Sequence, residues 1–234
     1  MNDSKAQARR QSSGSERFRL MHGELRNRIC LLTYPPGTLL IEGALAEEFG
    51  VSRTPIRRVL SYLEFEGFVE TRNGVGTIVS EININEIKYA YELRAHLATQ
   101  IGILSPVAPT EAGIETLSKV LTKVRSAGIE LTNDEYWRAN NILQDQLNLL
   151  TSNATFAKMT TSLYYLTNRN WQVMLPKMNW SDIVDKFVAE LIGTIERMVA
   201  LDVVGVGLIR RNEIIRGFER LREQNGNWTL RSTS

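Results

Sequence analysis

Three arginines in the stretch VSRTPIRRVLSYLEFEGFVE have the types and spacing to do chemistry. Arg53 and Arg57 are four residues apart, so on a helix they share one face, with Arg58 about 100° further round. An arginine near the start of a helix laid in the DNA major groove reaches guanine O6 and N7 in a two-pronged fork, or clamps a phosphate. Thr54 adds a hydroxyl, and the helix N-terminus adds backbone N–H groups. Further on, Asn73-Gly74 separates the short runs FVETR and TIVS, a strong hairpin signal. A tip without bulky side chains fits the narrow minor groove. The plain alternative is that the arginines only solvate an exposed helix.

The surrounding elements must hold these residues. Residues 16–32 read as a helix, with Phe18, Met21, Leu25, Ile29 and Leu32 at three- and four-residue steps. TYPPGT ends it. IEGALAEEF is a second short helix with Ile41, Ala44, Leu45 and Phe49 on one side, and Gly50 takes a left-handed C-terminal position. Ser52 caps the third helix, Pro55 falls in its first turn, and Ile56, Val59, Leu60 and Leu63 form its core stripe up to Gly67. Two helices joined by a glycine turn and followed by a hairpin make a winged helix-turn-helix over residues 15–80.

Composition sets the frame. The 234 residues, 43% hydrophobic and 23% charged, suit one large or two ordinary globular domains. No run of eighteen apolar residues spans a membrane, and the N-terminus has no secretory core. The single Cys30 lies in the apolar run ICLL, reads as core, and fits a reducing cytoplasm. Net charge is +2, residues 81–234 carry as many basic as acidic side chains, and the basic excess lies in residues 1–28, with seven basic against three acidic. Residues 1–14, rich in Ser, Gln, Lys and Arg, are expected to be a disordered arm.

Residues 81–224 read as helix throughout, divided roughly into 84–104, 110–127, 132–151, 153–174, 180–200 and 203–223, with a frayed tail at 225–234. The expected fold is therefore mainly α: an N-terminal winged helix-turn-helix plus a C-terminal antiparallel six-helix bundle that can enclose a pocket. Arg94 shares a helix face with Ile87, Tyr91, Ala98 and Ile101, where a core stripe belongs. A buried arginine needs a carboxylate, either an internal one such as Glu213 or that of a ligand. Asn140 and Gln144 lie one turn apart and can bond each other, the backbone or a ligand. Trp137, Tyr164, Tyr165, Trp171 and Trp180 read as core more than as pocket.

VSRTPIRRVLSYLEFEGFVE, with LRNRICLLTYPPGTLLIEGALAEEFG before it, resembles the DNA-binding domain of the GntR regulators over about residues 20–80. The resemblance implies that Arg53, Thr54 and Arg57 contact operator DNA, with Asn73 and Gly74 at the wing. Relatives often carry arginine at the position of Gly43 and glutamate at that of Arg58, so a phosphate contact is lost at one and positive charge is gained at the other. YELRAHL, LTSNATF and the helix spacing resemble the effector domain of the FadR branch (the FCD type), and six helices resemble its VanR-like group. Many such domains hold a divalent metal through one aspartate and three histidines. Those positions fall here at Asn140, Gln144, Leu191 and Glu213, and the chain has only His22 and His96, so the metal site is expected to be lost and no cofactor is expected.

The function expected is that of a homodimeric regulator binding operator DNA, a repressor released by a small carboxylate. An acyl-coenzyme A or amino-acid-like effector is the alternative, as is an effector-less architectural DNA binder. An enzyme is not expected: there is no Gly-x-Ser-x-Gly elbow, no phosphate-binding glycine loop and no zinc spacing, and pairs such as Glu47/Glu48 read as solvated.

Overall fold

A computed structural model describes residues 2–82 and 84–225, which divide into two compact units, Met1–Asn83 and Ile84–Ser234. The first unit runs α1 (Asn2–Cys30), β1 (Leu39–Leu40), α2 (Glu42–Glu48), α3 (Arg53–Phe65), β2 (Val69–Arg72) and β3 (Gly76–Val79). The arm expected to be disordered over 1–14 is, from Asn2 onward, the first part of α1. Its Lys, Ala, Gln and Arg residues are good helix formers and continue the helix backward. Met21, Leu25, Ile29 and Cys30 of α1 are buried, as are Ile56, Val59, Leu60 and Leu63 of α3.

Two local expectations need correction. Ser52 occupies the N-cap position of α3 with extended backbone, but its side chain makes no capping bond. In α2 the buried residues are Leu45 and Ala46, while Ile41 and Ala44 face solvent. Seven residues are too few for a periodic stripe to be read securely. Gly50 and Gly67 do adopt the left-handed conformation (φ 61° and 81°) that ends the helix before each.

The wing is three-stranded, in the order β1-β3-β2 and antiparallel throughout, with Leu39 opposite Ile78 and Val69 opposite Val79. β1 is only two residues long, below what alternation in a sequence can reveal.

In the second unit the described residues form six α-helices: α4 (Ile84–Ala98), α5 (Glu111–Ala127), α6 (Asn133–Asn148), α7 (Ala154–Met174), α8 (Trp180–Val199) and α9 (Val203–Asn225). Asn225 closes α9, and the rest of the expected tail lies outside the described residues. Each helix from α5 to α8 starts at a side-chain cap: Thr110, Thr132 (with Glu135, a full capping box), Asn153 and Asn179. α4 packs on α7 and α9, α5 on α6 and α8, and α8 on α9. Leu117, Leu143, Leu191 and Val206 are fully buried at the centre.

The helix expected over 84–104 stops at Ala98. Gly102 has φ 86°, and a Cβ there would stand 2.6 Å from the Val204 backbone nitrogen. The segment after α4 is thus turned tightly onto the start of α9. Gly207 makes the reciprocal approach: its Cβ would lie 2.5 Å from the Ala98 carbonyl oxygen.

Candidate nucleic-acid interface and ligand cavity

The apolar stripe of α3 faces the first unit's core, so the opposite face must be polar and outward. Arg53, Thr54, Arg57 and Arg58 are all exposed there, and Asn73 and Gly74 are exposed at the hairpin tip, where Gly74 has φ 77°. The structure brings Arg53 and Arg57 together against the start of α2. Arg57 donates from Nε and Nη2 to the two carboxylate oxygens of Glu42, at 3.0 and 2.8 Å. This pair holds the Glu42 carboxyl below its ordinary range, with Arg53 adding to the field.

Arg53 takes the space that a side chain at position 43 would need, its Nη2 lying 3.3 Å from the ideal Cβ of Gly43. Arg58 is set apart from the other two. Its guanidinium lies over the ring of Phe18 at 5.0 Å, on the side of α1. There Phe18 and His22 stack on one another, and His22 meets Glu66 of α3's C-terminal cap at 2.6 Å.

The second unit has a partly open cavity of about 70 Å³ between α4, α6, α7, α8 and α9. Arg94 lines it and is buried, as its place on the apolar face of α4 requires. The internal partner expected for it is not Glu213, which pairs with Arg216 on its own helix. Arg94 instead donates to Thr167 Oγ1 at 2.8 Å and lies 5.1 Å from the centre of the Tyr164 ring; among the described residues it forms no ion pair. Burial, and then the like charge of Arg210, pull its pKa down to about 10.

The buried carboxylate of the site belongs to Glu190, and it is held by Arg210 at 2.7 Å. Arg210 flanks Tyr164 as well, at 5.9 Å, so two guanidinium groups share one ring and one counter-charge. Burial and then the charge of Glu190 raise the Glu213 carboxyl. Lys186 and Arg220 complete the charged lining, with aromatic wall from Tyr91, Tyr136, Trp171 and Phe187. The Nε atoms of Arg210 and Trp171 are buried without an acceptor.

Asn140 lines this cavity too, donating to the Tyr136 carbonyl one turn back. Gln144 lines an adjoining, smaller cavity of about 20 Å³ that shares Arg94, Arg210 and Ile214 with the first, and it donates to Asn148 Oδ1. The two amides do not bond each other. Leu191 is in the core. The four positions at which the resembled domains bind metal thus offer two amides each bonded within α6, a leucine, and a carboxylate already paired with arginine. Such a set does not fit a divalent cation, which gathers several free oxygens. Among the described residues no three His, Cys, Asp or Glu cluster as metal ligands do.

Of the aromatic residues expected in the core, Trp137, Tyr164 and Tyr165 pack on one another there, and Trp171 lines the cavity. Sequence reasoning missed Arg210 and Glu190. The signal that marked Arg94 was present for Arg210: it stands between Val206 and Ile214 on a buried face of α9.

Residues 21–79 match the model of the bacterial regulatory proteins of the gntR family. An uncharacterized HTH-type transcriptional regulator from an unstable DNA locus of Streptomyces ambofaciens is 35% identical over 94 residues, 40% of this chain and 39% of that one. The gluconate operon transcriptional repressor of Bacillus licheniformis is 33% identical over 102 residues, 44% of this chain and 42% of its own. The chain thus spans about two fifths of the length of these curated relatives, which are regulators and not enzymes. The solved structure of E. coli McbR/YncC has the same fold, with a TM-score of 0.71 at 18% identity, covering 89% of this chain and 98% of that one. No helix among the described residues is long and apolar enough to cross a membrane. Residues 21–79 thus form a domain similar to the gntR family of bacterial regulatory proteins.

Proposed function

We propose that the protein is a transcriptional repressor that binds two-fold symmetric operator DNA as a homodimer and is released by a small carboxylate held in the second unit. The observation that carries the ligand part is Arg94. It is a buried cation without a carboxylate, on the wall of a cavity whose lining has four cations and two carboxylates. A single carboxylate placed there restores the missing counter-charge and accepts from a planar fork of donors. The aromatic wall suits a flat or short-chained acid. The cavity volume argues for a small ligand over an acyl-coenzyme A.

Binding in this reading is metal-independent, because the donor set at Asn140, Gln144, Leu191 and Glu213 favours hydrogen bonding over cation ligation. The second unit corresponds to an FCD-type effector domain of the FadR branch, a reading supported by its six helices and by Arg94. On the DNA side, Arg53, Thr54, Arg57 and Arg58 contact the operator, with Asn73 and Gly74 entering at the wing. The effector acts by binding one arrangement of the dimer better than the other.

A thermal-shift screen of small carboxylates, with and without chelator, tests the ligand reading. At about 100 times its dissociation constant a ligand stabilises by roughly 2.7 kcal/mol. A chelator-insensitive shift that disappears in Arg94→Ala is expected. A shift that needs metal, or that survives Arg94→Ala, overturns it.

A further inference from the structure

We infer that Glu42 is a positioning residue for DNA recognition: it fixes Arg57 so that the free edge of its guanidinium reads one guanine. This rests on the reading of the first unit as a DNA reader.

The pair joins the first residue of α2 to α3 by two nearly equal hydrogen bonds, from Nε at 3.0 Å and Nη2 at 2.8 Å. Such a pair sets the plane of the guanidinium as well as its position. It is an unusual use of charge at this place. A carboxylate on a face that meets phosphates is repelled by them, and an exposed ion pair adds little to folding stability. Arg57 is 69% exposed and Glu42 30% exposed, so the contact is made at the surface, where α3 is open to a partner.

The chemistry of what is left over explains the arrangement. A guanidinium has five N–H donors in a plane. Glu42 takes the Nε–H and one Nη2–H, which is one edge of the fork. The edge formed by Nη1 and the second Nη2–H stays open, and its two parallel donors match O6 and N7 of guanine. A free arginine offers several edges and many rotamers, and it bonds phosphates or bases indifferently. Held by Glu42, Arg57 offers one edge.

Arg53 makes the carboxylate tolerable beside DNA. It lies over Gly43, the next residue along α2, and its charge lowers the Glu42 carboxyl together with that of Arg57. Two cations thus share one anion and leave the trio with a net positive charge. Gly43 is part of the device, since a larger side chain there would press on the Arg53 guanidinium.

The test is selection from a randomised double-stranded DNA library by the intact protein, by Glu42→Gln and by Arg57→Ala, followed by competition binding on single-base variants of the selected site. Gln keeps one acceptor but turns an NH₂ toward the arginine donors, so the pair of hydrogen bonds cannot form. Glu42→Gln is expected to lose about ten-fold of discrimination at one G·C pair per half-site, the same pair that Arg57→Ala relaxes, with other positions unchanged. Retained preference at those other positions shows that the variant is folded.

Three results overturn the inference. If Glu42→Gln binds every sequence more tightly with an unaltered base profile, Glu42 is only a competitor of the phosphates. If the two variants relax different positions, the pair does not act as a unit. If the parent protein selects no sequence, the DNA-reading assignment itself falls.

Discussion

Arg210 donates from Nη1 to Glu190 at 2.7 Å, and both side chains are more than nine-tenths buried. The pair joins α9 to α8 across the cavity. Glu190 pairs with Arg210 and leaves Arg94, against the same Tyr164 ring, without a carboxylate. Truncating one partner strands the other charge. Arg210→Met is expected to destabilise the protein by about 3–5 kcal/mol, read from urea unfolding, and Arg210→Met/Glu190→Leu to regain most of it.

Arg94→Met should behave differently. Its removal strands no carboxylate and gives up one hydrogen bond and one ring contact against relief of a desolvated charge. Unligated stability is expected to stay within about 1 kcal/mol of the parent by urea unfolding. Equal losses in Arg94→Met and Arg210→Met would mean that Arg94 is a structural cation.

Glu213 carries a pH signature. Burial and then the Glu190 charge raise its carboxyl above the ordinary 4.5, so the folded state holds this proton more tightly than the unfolded chain. Its contribution to stability is fully present below that value and is lost as pH rises through the folded-state pKa. Glu213→Gln is expected to flatten that fall in a series of melting temperatures taken upward from pH 4.5. It should also tighten carboxylate binding at neutral pH by removing a like charge from the cavity.

Gly102 and Gly207 bring α4 and α9 into backbone contact. Alanine at Gly102 meets both the positive φ and the Val204 nitrogen. At Gly207 it meets the carbonyls of Ala98 and Ile101. Each substitution is expected to cost about 2–4 kcal/mol by urea unfolding.

Arg57→Ala is expected to weaken operator binding roughly ten- to a hundred-fold by fluorescence anisotropy, with relaxed preference at one base. Arg58→Ala should lose less, because its guanidinium is occupied by Phe18.

What the chain discloses before its structure depends on the length scale of each feature. The helix-turn-helix was legible because its signals are local: the glycines at 50 and 67, the stripe from Ile56 to Leu63, the Asn73-Gly74 turn. Five of the helices in the second unit begin and end within three residues of their expected limits, helped by caps such as Thr132 and Asn153. α4 is the exception, since a tertiary approach at Gly102 cuts it short. β1 was invisible because its pairing with β3 depends on residues far along the chain.

The cavity was half legible. Arg94 announced itself as a charge on an apolar face, and Arg210 carried the same mark on α9. Their counter-charge could not be assigned, because choosing between Glu190 and Glu213 requires the rotation of α8 against α9. The Arg57–Glu42 bond spans fifteen positions and depends on how α2 meets α3, which no local pattern specifies.

The glycine contacts between α4 and α9 have a mechanical consequence. Where two backbones touch, no side chain stands between them to yield, so the ends of α4 and α9 must shift as one body. Arg94 belongs to α4, the helix that the chain enters on leaving the first unit. Arg210 belongs to α9. A displacement of either guanidinium therefore bears on both helices of the second unit, through a contact that two missing methyl groups make possible.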